Sequence, residues 1–459
     1  MEDIADAARG ALSLAGLARF SAGLLAAALA ASAPAAEPAR APAPTREQLL
    51  SELMYPYAGP SSPGVDASTM RGKVLCGYQG WFAAEGDGLG RGWYHWHGKD
   101  GFKPGSCAID LWPDVSELDP GERYRTPFLL SDGTPAEVYS AYNAKSVIRH
   151  FSWMKDYGID GVFVQRFASE IFNPQGLRQF TSVLSSCREG ANRNGRVYAV
   201  MYDLSGIGLG EIEKVKADWS ALVERMHITS DPAYLHDQGR PVVAVWGVGF
   251  SDGRTYTLEE CRDLVAFLKR TPVGGCSVML GVPTWWRTLQ RDSVPDHALH
   301  EVLLAADIVS PWAVGRSDSP AAAERLGKEA WDGDAAWCTE HHKGFLPVVF
   351  PGFSWHNMRP DARLGAVPRL GGRFLWAQYL AAKHSGATMV YQAMFDEMDE
   401  GTAIFKCTST PPVGASSFLD LDGLPSDHYL KLVGTAARMV RGEIPASEEM
   451  PEVEGKQAR

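Results

Sequence analysis

Cysteine is scarce: seven residues in 459 (Cys76, Cys107, Cys187, Cys261, Cys276, Cys338 and Cys407) stand far apart, with no C-x-x-C pair. That spacing argues against a zinc ribbon or a thioredoxin-type site, and the odd count leaves at least one thiol unpaired. Basic residues are outnumbered, 44 Lys plus Arg against 55 Asp plus Glu, for a formal net charge of −11. Such a balance repels phosphate backbones, so no nucleic-acid partner is expected. Beyond the N-terminus no apolar run approaches the roughly 20 residues that span a bilayer, so the mature form is expected to have no membrane partner. The P-loop and H-E-x-x-H patterns are missing, and no glycine fingerprint follows the first strand-like run. His95-x-His97 and His341-His342 have no zinc-hydrolase spacing, and Asp420-Leu421-Asp422-Gly423 lacks the remaining ligands of a calcium loop. No metal or cofactor is expected.

Tryptophan, by contrast, is abundant, with fourteen residues. The length suits one large enzyme domain or two ordinary ones, and a composition 45% hydrophobic and 22% charged fits a globular chain. Residues 20–33 form an Ala/Leu-rich stretch after Arg19, and Ala33-Pro34-Ala35 has the small-residue spacing of a signal-peptidase site. Residues 1–36 are therefore expected to be a signal peptide, and the mature protein extracytoplasmic, periplasmic or secreted. Glu2, Asp3 and Asp6 stand where such signals usually carry positive charge. Residues 37–72 read as a linker and N-terminal extension, and 446–459 as a disordered tail.

From 73 to 445 the chain alternates short apolar runs with amphipathic segments. Strands are expected at 74–78, 161–165, 197–202, 241–246, 277–282, 307–312, 346–351 and 387–393. Helices are expected at 144–157, 177–192, 211–225, 258–269, 296–304, 321–337, 373–384 and 429–441. Eight of each in strict alternation predict a single α/β domain, a (β/α)8 TIM barrel, with a long loop insertion after strand 1. An open doubly wound sheet is the competing fold, and it would normally carry the missing glycine fingerprint.

In such a barrel the strand C-terminal ends and the loops after them face the site. Nine tryptophans fall there, and five (Trp153, Trp219, Trp331, Trp337 and Trp376) fall on helices. Sugars present flat C–H faces and a rim of hydroxyls, which aromatic platforms beside polar side chains suit. The substrate-binding candidates are Tyr78, Trp81, Trp93, His95, Trp96, Gln165, Tyr202, Asp203, Trp246, Trp285, Trp286, Trp312, Trp355 and His356. Glycoside cleavage needs two carboxyl groups, one protonated and one ionised. The dense acidic cluster on the inferred rim is Asp396, Glu397, Asp399 and Glu400, where crowding splits the pKa values and supplies acid and base together. The expected ends of strands four and seven carry no carboxylate, and Asp203 after strand three is the main rival.

The run Glu397-Met398-Asp399-Glu400-Gly401-Thr402 resembles the E-x-x-E-G-T motif of the endo-α-mannosidase family, glycoside hydrolase family 99. Gly77-Tyr78-Gln79-Gly80-Trp81-Phe82 with Trp93-Tyr94-His95-Trp96 resembles the aromatic opening of those barrels. The segment from Ser426-Asp427-His428-Tyr429-Leu430 to Arg441-Gly442-Glu443-Ile444-Pro445 is similar to the end of family 71/99-like bacterial hydrolases, some labelled xylosidase/arabinosidase. The resemblance covers roughly 73–445. It implies a retaining glycoside hydrolase acting on a poly- or oligosaccharide, such as an α-mannoside. Glu397 would then be the base that deprotonates the substrate's own 2-hydroxyl, giving a 1,2-anhydro sugar, and Glu400 the general acid/base. Here Met398-Asp399 replaces the family's usual Trp-His, and Asp396 a common Asn. The alternatives are a non-catalytic carbohydrate-binding barrel and a xylosidase/arabinosidase-type hydrolase.

Overall fold

The computed structural model describes residues 44–270 and 274–453. The proposed signal peptide and the last six residues lie outside this range. Eight parallel strands form the barrel: β1 Val74–Tyr78, β2 Gly161–Phe167, β3 Val197–Asp203, β4 Arg240–Trp246, β5 Ser277–Pro283, β6 Ile308–Trp312, β7 in two pieces, Gly344–Phe345 and Val348–Val349, and β8 Val390–Gln392. The first piece of β7 pairs with β6 and the second with β8, so one stretch of chain closes the ring. The change of partner falls at Pro347, which has no N–H to donate. Leu346 N–H donates to Val309 O, while Pro347 O accepts from Tyr391 N–H.

The helices are α1 Ala144–Tyr157, α2 Pro174–Asn194, α3 Ile212–Met226, α4 Leu258–Leu268, α5 Ala298–Ala305, α6 Pro320–Leu326 running on through a π-turn, Gly327–Trp331, into Asp332–Glu340, α7 Arg373–His384 and α8 His428–Arg441. Asn143 caps α1 by accepting from Lys145 N–H, and Gly158 ends it in the left-handed conformation. Apart from the split β7 and the π-turn, the elements fall where the hydrophobic pattern predicts them. Residues of β1 to β6 are almost all buried, as a parallel sheet covered by helices on one face and filled by side chains on the other requires.

The segment between β1 and α1 is a subdomain in its own right. An antiparallel hairpin, Tyr124–Leu129 with Pro135–Val138, packs over an aromatic cluster of Phe82, Trp96, Phe102, Trp112, Phe128 and Tyr139. Its backbone is stitched to the loop after β8: Asp110 N–H donates to Met398 O at 3.0 Å, and Asp114 N–H to Lys406 O at 2.9 Å. The insertion thereby braces the acidic turn.

The N-terminal extension carries a helix, and the expected start of the tail needs correction. Within 37–72, residues 46–53 form a helix with a Thr45 capping box, its Leu49 and Leu50 buried against the barrel and Arg178 paired to Glu52. The tail does not begin at 446: Trp376 Nε1 donates to Ser447 O at 2.8 Å, and Met450 packs against the core.

One buried ion pair holds the layers together. Arg166 of β2 donates from Nε and Nη2 to Asp218 of α3 at 2.8 and 2.6 Å, and the Tyr202 hydroxyl donates to the same carboxylate at 2.7 Å. Both charged side chains are 0% exposed. Removing one partner strands a buried charge, so Asp218→Ala is expected to destabilise the fold by about 3–5 kcal/mol. Urea unfolding checks this; a loss below about 1 kcal/mol would contradict it.

Candidate active site

The chain leaves β8 and turns at once through Asp396, Glu397, Met398, Asp399 and Glu400, a turn buried at every position except Glu400, which is half-buried. Two glycines make the geometry possible. A Cβ on Gly77 of β1 would lie 2.0 Å from Met394 Sδ, and Gly401 adopts φ +63° where a Cβ would lie 2.9 Å from Ser354 N. The backbone around Glu400 is fixed from the β7 side by Ser354 N–H, which donates to Glu400 O at 2.9 Å. Asp110 holds that side in turn. It accepts from Ser354 Oγ at 2.5 Å, from the N–H of His356 and of Asn357, and from Asn357 Nδ2.

The carboxyl groups differ in what surrounds them. Asp396 accepts from the N–H of Gln79 and of Gly80 at 2.8 and 2.9 Å, so it anchors the β1 turn to the β8 turn. Burial pushes it up to about 7. Glu397 accepts from Gln79 Nε2 and from Thr402 Oγ1, each at 2.5 Å. Burial, then the charges of Glu400 and Asp399, push Glu397 well above the usual carboxylate range, and the two hydrogen bonds pull the other way. Burial, then Asp399, push Glu400 up to about 8.

A group raised in the folded state binds its proton more tightly there than in the unfolded chain. Its stabilising contribution is present below its ordinary value and is lost as pH climbs through the folded value. For Glu400 that window runs from 4.5 to about 8. Glu400→Gln cannot ionise, so its melting temperature is expected to overtake the wild type's progressively across this range. Thermal melts at pH 5 and pH 8 check it, and a constant difference would contradict it.

The aromatic candidates divide sharply. Trp96 and Trp286 are 0% exposed and belong to the packing, as do Trp112, Trp246 and Trp355, all below 9%. Tyr78 and Tyr202 point away from the barrel axis because alternate strand residues face opposite sides. The Tyr78 hydroxyl bonds His150 Nδ1 of α1 at 2.9 Å, and Tyr202 reaches Asp218 of α3. Burial holds His150 down at about 3, hence neutral. Trp81 is half-buried and already carries two stacked rings, His95 at 4.0 Å and 5° and Phe167 at 5.3 Å and 24°. It supports His95 rather than offering a sugar platform. Trp93 donates Nε1–H to Glu85, and the Arg291 guanidinium lies 3.9 Å over Trp285. Trp312, half-buried at the end of β6, meets Trp246 and Tyr391 in T-shaped contacts, and among the described residues no ring stacks parallel on it. Gln165 points inward, donating to the Tyr391 hydroxyl at 3.3 Å. His356 is half-buried with Nδ1 on Ala362 O at 2.7 Å.

Asp203 accepts from Ser205 N–H at 2.7 Å and is raised by burial. It makes its own turn and stands apart from the hydrogen bonds of the Glu397 group. The run Gly249-Phe250-Ser251-Asp252-Gly253 spells G-x-S-x-G, yet the Ser251 hydroxyl donates to Arg291 O, and among the described residues no histidine bonds it. All seven cysteines are buried and unpaired. Among the described residues no cluster of His, Cys, Asp and Glu could hold a metal ion, and no helix is long and apolar enough to cross a membrane. Gln79, Thr402 and Asp110 are the site residues that sequence reasoning did not select. Gln79 and Thr402 lie inside the two motifs quoted above, but nothing in their spacing shows that both donate to one carboxylate.

A closed (β/α)8 barrel with a buried carboxylate group at its C-terminal mouth is the class that fold and site define. Two solved structures of the glycoside hydrolase family 99 endo-α-mannosidase from Bacteroides thetaiotaomicron share this fold. One is a complex with bis-tris propane (TM-score 0.59) and the other has a TM-score of 0.58. Each is 18% identical to this chain, and the alignment covers 82% of this chain and 99% of that one. No protein-family profile matches the sequence, and no curated protein matches it.

Proposed function

We propose that the chain is a retaining glycoside hydrolase acting on an oligo- or polysaccharide, with α-mannosides as the first substrates to test. The observation that carries this reading is the unequal hydrogen bonding of two glutamates three residues apart, Glu397 buried and Glu400 half-buried. Glu397 receives two donated hydrogen bonds, which favour its ionised form. Glu400 receives no side-chain hydrogen bond among the described residues, and burial beside Asp399 favours its protonated form. Burial and mutual repulsion raise both glutamates, so near neutral pH the pair holds a proton between them, and these unequal contacts favour it on Glu400, with Glu397 as the base.

In the proposed reaction Glu400 gives its proton to the glycosidic oxygen as the bond to the anomeric carbon breaks. Glu397 takes the proton of the sugar's 2-hydroxyl, whose oxygen closes on that carbon to form a 1,2-anhydro sugar. Water then opens this ring from the original leaving-group side. Glu400 accepts the water's proton and Glu397 returns its own to the 2-oxygen. Two inversions give net retention. The alanine-rich leader supports an exported enzyme, which fits a polymeric substrate outside the cytoplasm.

Turnover of a panel of α-mannan, xylan and arabinan oligosaccharides tests the reading. Binding by the wild type without turnover of any member would favour a carbohydrate-binding barrel instead. Within the active series, Trp312→Ala is expected to raise KM roughly tenfold with little change in kcat, since a lost platform removes about 1.4 kcal/mol of ground-state and transition-state binding alike. Trp96→Ala is expected to act on stability instead. Equal effects of the two on KM would contradict this division of the tryptophans.

A further inference from the structure

Asp399 sits between the two glutamates, and neither the acid nor the base role uses it. It is 3% exposed, with Oδ2 2.9 Å from His95 Nδ1 and Oδ1 buried without a partner. His95 comes from the insertion and is constrained on several sides. Its ring stacks on Trp81, Tyr94 meets it edge-on at 4.6 Å, and Phe82 does so at 6.2 Å. Its backbone is left-handed at φ +62°. For a non-glycine residue that conformation is strained and persists where the surroundings over-determine it. With Nδ1 on a buried carboxylate, Nε2 is the nitrogen left to act, on a side chain that is 28% exposed.

We propose that Asp399 and His95 form a positioning dyad for the acid. Asp399 fixes the imidazole with Nδ1–H toward its own carboxylate and Nε2 as the free nitrogen, and its negative charge, one residue from Glu400, keeps Glu400 in the proton-donating form. His95 donates Nδ1–H to that charge. When it is protonated it neutralises Asp399 and releases that hold on the Glu400 proton. The other groups around Asp399 are Asp396 and Glu397 of its own turn and the Tyr139 phenol of the insertion. Asp110 reaches the turn through its N–H on Met398 O, and Arg369 donates to Gly401 O and Ala403 O. None of these but His95 hydrogen-bonds the Asp399 carboxylate among the described residues. The dyad deepens the glycosidase reading and rests on it only for the atom to which the proton is given.

The test needs no substrate. Carboxyl-carbon NMR titration of glutamate-labelled protein, assigned with Glu400→Gln, reads the Glu400 midpoint. Imidazole nitrogen NMR, assigned with His95→Phe, reads the His95 tautomer. Asp399→Asn removes the charge while its amide oxygen can still accept from Nδ1. It is expected to lower the Glu400 midpoint by about one pH unit. His95→Phe keeps a ring on Trp81 but removes the Nδ1–H donated to Asp399, and is expected to raise the midpoint. Opposite movements are something a merely structural role would not produce. If Asp399→Asn fails to fold, the His95→Phe titration and the wild-type tautomer still decide the matter. An unmoved midpoint in either variant, a lowered one in His95→Phe, or a wild-type neutral tautomer protonated at Nε2 would overturn the dyad. A wild type that shows these titrations yet cleaves no glycan would overturn the glycosidase reading and leave the dyad standing.

Discussion

Glu400→Gln is expected to lower kcat/KM on a natural glycan about 10³-fold, within the range that a positioned general acid supplies. The loss should shrink on aryl glycosides whose leaving group needs no proton, because glutamine still fills the space and only the donated proton is gone. The pH profile gives a second reading of the same residue. Glu400 works protonated and is pushed up to about 8, so wild-type activity should fall as pH rises through that value. With an activated substrate the variant should lack this basic limb. A variant that loses equally on natural and activated substrates, or that keeps the limb, would remove Glu400 from the acid role.

Glu397→Gln is expected to reduce kcat by about 10³-fold or more on natural and activated substrates alike, with sugar binding retained. Its task is to take a proton from the nucleophilic hydroxyl, and no leaving group relieves that step. Glutamine can keep an oxygen toward Thr402, so the hydrogen bond at 2.5 Å need not be lost and the site should stay assembled. Kinetics on paired natural and activated substrates, with calorimetric binding, check this. A Glu397→Gln variant rescued by an activated leaving group would exchange the two roles.

Much of the scaffold was legible because burial on both sides of a parallel strand leaves short apolar runs, as at 161–165 and 277–282. The N-terminal helix Arg46–Leu53 escaped because its sequence is mostly polar, with Leu49 and Leu50 buried and Leu53 partly buried against the core. Pro347 marked where β7 changes partner, a fact visible only once both neighbours are in place. The acidic turn was legible as four carboxylates after an apolar strand, and the structure puts three of them at or below 5% exposure.

The ring chemistry was less legible. Tyr78 and Tyr202 are near strand ends, but the two-residue alternation turns them toward the helices. Counting tryptophans does not reveal that His95 and Phe167 both stack on Trp81. The His95–Asp399 contact joins residues 304 positions apart, with no local pattern to announce it.

The central claim is that Glu397 and Glu400 cleave a glycosidic bond by two successive displacements at one carbon. Proton NMR of the first-formed sugar, recorded before mutarotation, tests it most directly. The account predicts the same anomeric configuration as in the substrate. An inverted product would contradict it, because a single displacement by water leaves the 2-hydroxyl base with no step to perform.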